Sequence, residues 1–202
     1  LELRRLEDLA DEGVGLEEHV LVEDDVVDPD DLVAPQGQVV DLGMETVDLP
    51  DGRELELEVV RHPGGAAVVA FNTENEICLL RQYRHASGGW LWELPAGKLE
   101  PGEPALTTAQ RELEEEAGVR ATHWQALAEV LTTPGFCDEV INLFLARDLH
   151  TVPMQHQEHE CIEVHWLSFN AALAMAQRGE IRDAKTLLGL FYVTHLGDDR
   201  AP

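Results

Sequence analysis

Glu112, Glu115 and Glu116 stand three and four positions apart in GEPALTTAQRELEEEAGV, residues 102–119. On a helix those spacings gather three carboxylates on one face, while Glu114 points elsewhere. Like charges on adjacent turns repel unless something positive sits among them. Such a face offers only hard oxygen donors, which suits magnesium or manganese. Arg111 supplies a fixed cation able to hold a carboxylate in position. Taken alone, the three glutamates fit a solvated acidic face equally well.

The elements around them are readable. A loop with Gly97, Pro101 and Gly102 leads to Glu103. Pro104 follows at a first helical position, where its missing N–H costs nothing. Gly118 stands where a left-handed residue closes a helix. Between them Leu106, Ala109, Leu113 and Ala117 make an apolar stripe for a core. Upstream, the strand-like Leu91 to Leu94 precedes Pro95 and Gly97. Strand, glycine-rich loop and helix in that order set the acidic face beside the end of a sheet.

The full spacing separates the two readings. Gly97, five residues, Glu103, seven residues, Arg111-Glu112-Leu113, one residue, Glu115-Glu116, one residue and Gly118-Val119 together resemble the Nudix box at every specified position. The resemblance implies a hydrolase that splits the diphosphate of a nucleoside diphosphate linked to another group. RQYR at 81–84, ELPAGKLEPGE at 93–103 and TPGFCDEVINLFLA at 133–146 resemble the ADP-ribose pyrophosphatase branch. In that branch a proline falls about fifteen positions past the box, and Pro134 is fifteen past Val119. The similarity runs from about residue 37 to the C-terminus. Sugar-nucleotide pyrophosphatases acting on GDP-mannose share much of this framework.

Residue by residue, the resemblance implies Glu112 and Glu116 as the main metal ligands, joined by the carbonyl of Ala96. Glu115 binds metal or orients a ligand, and Arg111 orients carboxylates. Gly97, Glu103 and Pro134 are structural or support the ligands. A late loop supplies the general base in that branch; Gln155 to Glu160 is the matching place, with Glu158 as base and Glu160 as a further ligand. His156 and His159 are alternatives for acid–base work. Glu139 is a candidate acceptor for a ribose hydroxyl. Arg81 and Arg84 are candidates for diphosphate oxygens, which suit a fork-shaped guanidinium, or else surface ion pairs. Trp90 and Trp92 alternate along a strand and share a face, as core, interface or stacking platform.

The rest of the chain bounds these readings. It has 202 residues, 44% hydrophobic, enough for one ordinary domain with an appendage. The net charge is −26, from 40 acidic and 14 basic side chains, and only Lys98 and Lys185 are lysines. That surface repels nucleic acid. It fits a salty cell interior, where screening tolerates such self-repulsion, or an acidic coat kept for solubility. No stretch approaches the roughly twenty apolar residues of a membrane span, and no secretory leader pattern opens the chain. Cys78, Cys137 and Cys161 form no CxxC pair and read as free thiols of a cytoplasmic protein.

Residues 1–35 hold thirteen acidic residues against Arg4 and Arg5 and read as an acidic extension without an assigned role. Residues 36–63 read as a β-hairpin region around Pro50-Asp51-Gly52 and as the dimerisation element of a homodimer. Ala66 to Phe71 and Ile77 to Leu80 read as a buried strand pair around the turn Asn72 to Asn75. Ile162 to Leu167 reads as a strand, and Asn170 to Gln177 and Asp183 to Leu196 as closing helices. The expected architecture is an α/β protein, a Nudix α/β/α sandwich with a mixed central sheet over 64–202, preceded by the antiparallel β region. The expected function is magnesium-dependent hydrolysis of ADP-ribose to AMP and ribose 5-phosphate. The alternatives are another nucleoside diphosphate sugar, or a non-catalytic ADP-ribose sensor.

Overall fold

The computed structural model describes residues 39–155 and 161–195. The earliest described elements are β1 (Asp41–Asp48) and β2 (Glu54–Arg61), an antiparallel hairpin closed at Gly52 with φ 83°. The Gly52 amide donates to the Leu49 carbonyl at 2.8 Å, so the Pro-Asp-Gly signal makes the expected turn.

β3 (Gly65–Ala70) is buried along its whole length. It pairs parallel with β8 (Val140–Thr151) and antiparallel with β6 (Ala96–Lys98), and β7 (Val119–Leu131) completes a four-stranded mixed sheet in the order β6-β3-β8-β7. β4 (Glu76–Arg84) lies between β5 (Gly89–Glu93) and β9 (Ile162–Ser168) in a second, antiparallel sheet. The expected pairing of Ala66–Phe71 with Ile77–Leu80 is therefore corrected. Only Phe71 and Ile77 bridge, and the two strands then part into different sheets. β3 has both edges occupied by β6 and β8, which leaves β4 no edge to join.

Strand alternation builds two cores. Ala67, Val69 and Phe71 face α2 (Phe169–Gln177) and α3 (Ala184–Thr194), with Ile77 and Leu79 of β4 beside them. Ala66, Val68 and Ala70 face α1 (Ala105–Ala117), with Cys78 and Leu80. Period-two alternation on a strand buried from both sides produces this split. The result is the expected α/β/α sandwich, its centre made of two sheets instead of one. Gly189 lets α3 lie directly on the sheet, since a Cβ there would meet Leu94 and Val69 at 2.7 and 2.9 Å.

Two details of α1 differ from expectation. Pro104 is the cap residue, extended at φ −64° and ψ 139°, and the helix begins at Ala105. Leu106 is 38% exposed; Thr108, Ala109, Leu113 and Ala117 form the buried stripe instead. Thr108 can take a core place because its hydroxyl donates to Glu103 Oε2 at 2.8 Å. Gly118 closes the helix in the left-handed region, φ 64°, as expected. Among the described residues no helix is long and apolar enough to cross a membrane.

Candidate active site

The acidic face of α1 meets the start of the mixed sheet at Ala96 and Gly97. Glu116 and Glu112 are 3% and 8% exposed, which excludes the solvated-face reading for both. Glu116 Oε2 accepts from the Ala96 amide at 2.8 Å. A Cβ on Gly97 would overlap the Glu112 carboxylate, so glycine here lets the carboxylate keep its place beside the strand.

Arg111 organises the carboxylates. Its Nη1 donates to Glu112 Oε1 at 2.6 Å and reaches Glu115 Oε2 at 3.5 Å, while Nη2 donates to Glu103 Oε2 at 3.2 Å. Glu103 also accepts from Thr108 and from the Glu100 amide. Hydrogen bonds from Arg111 and then Thr108 hold the Glu103 carboxyl below its ordinary pKa. Burial pushes the Arg111 guanidinium down, but Glu103 and Glu112 outweigh it and fix it as a cation. Glu114 turns outward to Arg120 at 2.6 Å, as its helical position requires.

Glu112, Glu116, Ala96 and Gly97 line a cleft of about 650 Å³. Arg84, Lys98, Lys185 and His62 bring cationic or ionisable groups to it, and Glu139 and Asp183 add carboxylates. Both lysines of the chain thus face one cleft in a protein of net charge −26. Sequence reasoning missed Lys98 and Lys185 as site residues; their being the sole lysines was the available signal.

Arg84 and Arg81 separate. Residues three apart on a strand face opposite ways, so Arg84 enters the cleft with Gln82 while Arg81 lies on the outer face. There Arg81 stands 3.5 Å from Glu163 and 5.4 Å from the Trp90 ring centroid. Trp90 and Trp92 do share that outer face. Trp90 is 43% exposed against Tyr83, and Trp92 packs on the core and His165.

Arg84 is gripped by Glu93, with Nε–Oε1 at 2.8 Å and Nη2–Oε2 at 3.1 Å. Lys185 binds the same Glu93 and reaches Asp183 at 3.0 Å. Burial works to raise the Glu93 pKa, but the Arg84 hydrogen bonds and the Lys185 charge outweigh it and hold it below the ordinary value. Asp183 caps α3 by accepting from the Thr186 amide at 3.0 Å. A helix start and a buried carboxylate therefore aim two cations into the cleft.

Glu139 accepts from Thr132 at 2.6 Å and lies 3.4 Å from His62. Its loop is tied to β2, because Asp138 accepts from the His62 amide at 2.8 Å and from Arg61 at 3.0 Å. Pro134 is exposed in this loop and does not line the cleft. Glu115 lines a neighbouring groove of about 400 Å³ with Pro153 and Gln155. Glu158 and Glu160 lie outside the described residues, as do His156 and His159. The described residues before and after them are anchored: Gln155 donates to the Glu115 carbonyl at 3.1 Å, and Tyr83 donates to the Cys161 carbonyl at 3.1 Å.

The donor set passes a chemical test for a hard divalent ion. Two buried carboxylates, with a glycine keeping the gap beside them open, supply oxygen donors alone. Among the described residues no three His, Cys, Asp or Glu side chains converge as a metal group. Any further side-chain donor would have to join the Glu112 and Glu116 pair from elsewhere in the chain.

The chain is 39% identical over 159 residues to an ADP-ribose pyrophosphatase of Bacillus subtilis, covering 78% of this chain and 86% of that relative. It is 36% identical over 149 residues to a GDP-mannose pyrophosphatase of Cronobacter sakazakii, covering 65% and 77%. A crystal structure of an ADP compounds hydrolase superposes with a TM-score of 0.68 at 20% identity, over 79% of this chain and 87% of that one, and shows the fold. A family model for the NUDIX domain matches residues 61–189, and with the carboxylate helix seated against Ala96 and Gly97 the chain belongs to the NUDIX domain family.

Proposed function

We propose that the chain hydrolyses the diphosphate of ADP-ribose to AMP and ribose 5-phosphate with a divalent ion, magnesium first and manganese as the alternative. One observation carries this reading: Glu112 and Glu116 share a cleft with Arg84, Lys98 and Lys185. Acidic oxygens for a metal beside a cluster of cations suit a substrate whose reacting centre is doubly anionic. ADP-ribose itself is chosen from the relative named for it.

Glu112, Glu116 and the Ala96 carbonyl would hold the ion, which when bound neutralises diphosphate charge and acidifies water. Arg111 keeps Glu112 aimed, and Glu103 with Thr108 keeps Arg111 in place. Arg84 and Lys185, backed by Glu93, attract the diphosphate oxygens. Arg81 faces outward and is not assigned this task. Glu139 would accept from a ribose hydroxyl. Glu158 is proposed to take the proton of the attacking water, with Glu160 as a further ligand. The anchors at Glu115 and Tyr83 support this, since both flank the elements that build the cleft. Glu115 would orient its neighbours through Arg111.

The β1–β2 hairpin exposes Leu42, Met44 and Leu55 at 67%, 61% and 46%, which supports the proposal that residues 36–63 join two copies. A cytoplasmic location belongs to the same proposal. The second reading is hydrolysis of GDP-mannose, favoured by the similarity to the pyrophosphatase named for it. A phosphatase-coupled phosphate-release assay over a panel of sugar nucleotides with magnesium decides. ADP-ribose is expected to give the highest kcat/KM; preference for GDP-mannose by tenfold selects the second reading, and no turnover on any substrate overturns both.

A further inference from the structure

β3 and β8 run parallel, and their two ends open on different places. Gly65 and Ile141 line the cleft described above, while Phe71 and Arg147 line a separate cavity of about 260 Å³. Six residues of strand separate them, about 20 Å at roughly 3.3 Å per residue. Arg147 is the unusual member of this cavity. Of nine described arginines, all but Arg147 and Arg182 stand within 4.0 Å of a carboxylate. Arg147 has no such ion pair among the described residues, although the chain carries 40 acidic residues.

Its Nε is buried and makes no hydrogen bond. The side chain is thus held in place without an anionic partner. The guanidinium stands 4.8 Å from the Phe71 ring centroid, and that stacking fixes its plane. His123 of β7 is the direct cross-strand partner of Arg147, so the two side chains emerge together. Both line the cavity, with Thr73 and Asn75 at its edge. Desolvation is also strong enough to lower the Arg147 pKa despite Asp148. An anion in the cavity would neutralise the Arg147 cation and meet the His123 imidazole.

We propose that this cavity is a second anion site, distinct from the catalytic cleft, which takes the phosphate group of a small phosphate monoester or of orthophosphate on Arg147 and His123. A phosphate presents several acceptor oxygens to a guanidinium edge and a ring N–H at once. The volume admits a phosphate with a short organic group. Asp148, which also lines the cavity, is an acceptor for hydroxyls of that group. The proposal does not depend on which sugar nucleotide the cleft hydrolyses.

The test follows the His123 ring resonances of the full chain by NMR during titration with inorganic phosphate, then with ribose 5-phosphate, at constant ionic strength. A saturable shift is expected, with apparent affinity at least tenfold weaker in Arg147→Met and unchanged in Lys185→Met, which alters only the cleft. The tighter of the two ligands identifies the source of the phosphate. If Arg147→Met does not fold, Arg147→Lys keeps the charge without the fork and is expected to weaken binding at least threefold. A shift that fails to saturate, that persists in the Arg147 variant, or that disappears with Lys185→Met overturns the proposal.

Discussion

Gly97→Ala tests how the strand and the acidic helix share one space. The added Cβ would overlap the end of the Glu112 side chain, to which its three nearest atoms all belong. The carboxylate therefore yields and the fold stays. Glu112 then leaves its 2.6 Å hydrogen bond to Arg111, in a place where its side chain is 11% exposed. A hydrogen bond to a charged group contributes about 1.5–3 kcal/mol. Glu103 and Glu115 remain as partners for Arg111, so a net stability loss of about 1–2 kcal/mol is expected. Losing a partner that orients a metal ligand, as Arg111 orients Glu112, costs roughly 10- to 100-fold in metal affinity. The assay is manganese titration followed by electron paramagnetic resonance, paired with thermal melting of the same samples. A large loss of melting temperature with manganese affinity intact would refute the reasoning, because it would place the strain in the backbone.

Three further outcomes follow from the same structure. Glu93 has a depressed pKa, so its ion pairs stabilise fully above the ordinary glutamate value of 4.5 and that contribution is lost as pH falls through the lower folded-state value; Glu93→Gln should flatten the loss of stability below about pH 4.5, and an unchanged acid profile counts against the pairing. Burial, with the nearby Glu116 charge, pushes the Cys78 thiol up to about 12, so a thiol reagent at pH 8 should label Cys137 and Cys161 while Cys78 reacts only after denaturation. The net charge of −26 predicts a melting temperature that rises from low to molar KCl; indifference to salt removes self-repulsion as a factor.

The C-terminal end of α1, the glutamate face, the hairpin and the closing helices were legible because each rests on local signals. Gly118, the Pro-Asp-Gly turn and the three-and-four spacing act within a few residues. β7 and β8 were not legible as a pair. β7 is broken by a bulge between Ala126 and Ala128, and its three alanines and Glu129 carry little strand preference. The parting of β3 and β4 depends on β6 and β8 occupying both edges of β3, which no local pattern states. Arg84 could have been separated from Arg81 by strand parity alone. Lys185 could not, because α3 brings it to Glu93 across ninety-two residues.

The central claim is that Glu112 and Glu116 gather a divalent ion in a cleft built to receive a diphosphate. Glu116→Gln tests it most directly, since glutamine can still accept from the Ala96 amide while losing the charge. The measurement is ADP-ribose turnover with magnesium, alongside manganese binding and the melting temperature. Turnover is expected to fall by roughly 10³-fold or more, about 4 kcal/mol of barrier, with weakened manganese binding and a nearly unchanged melt. Turnover retained within tenfold, with the fold intact, would contradict the account.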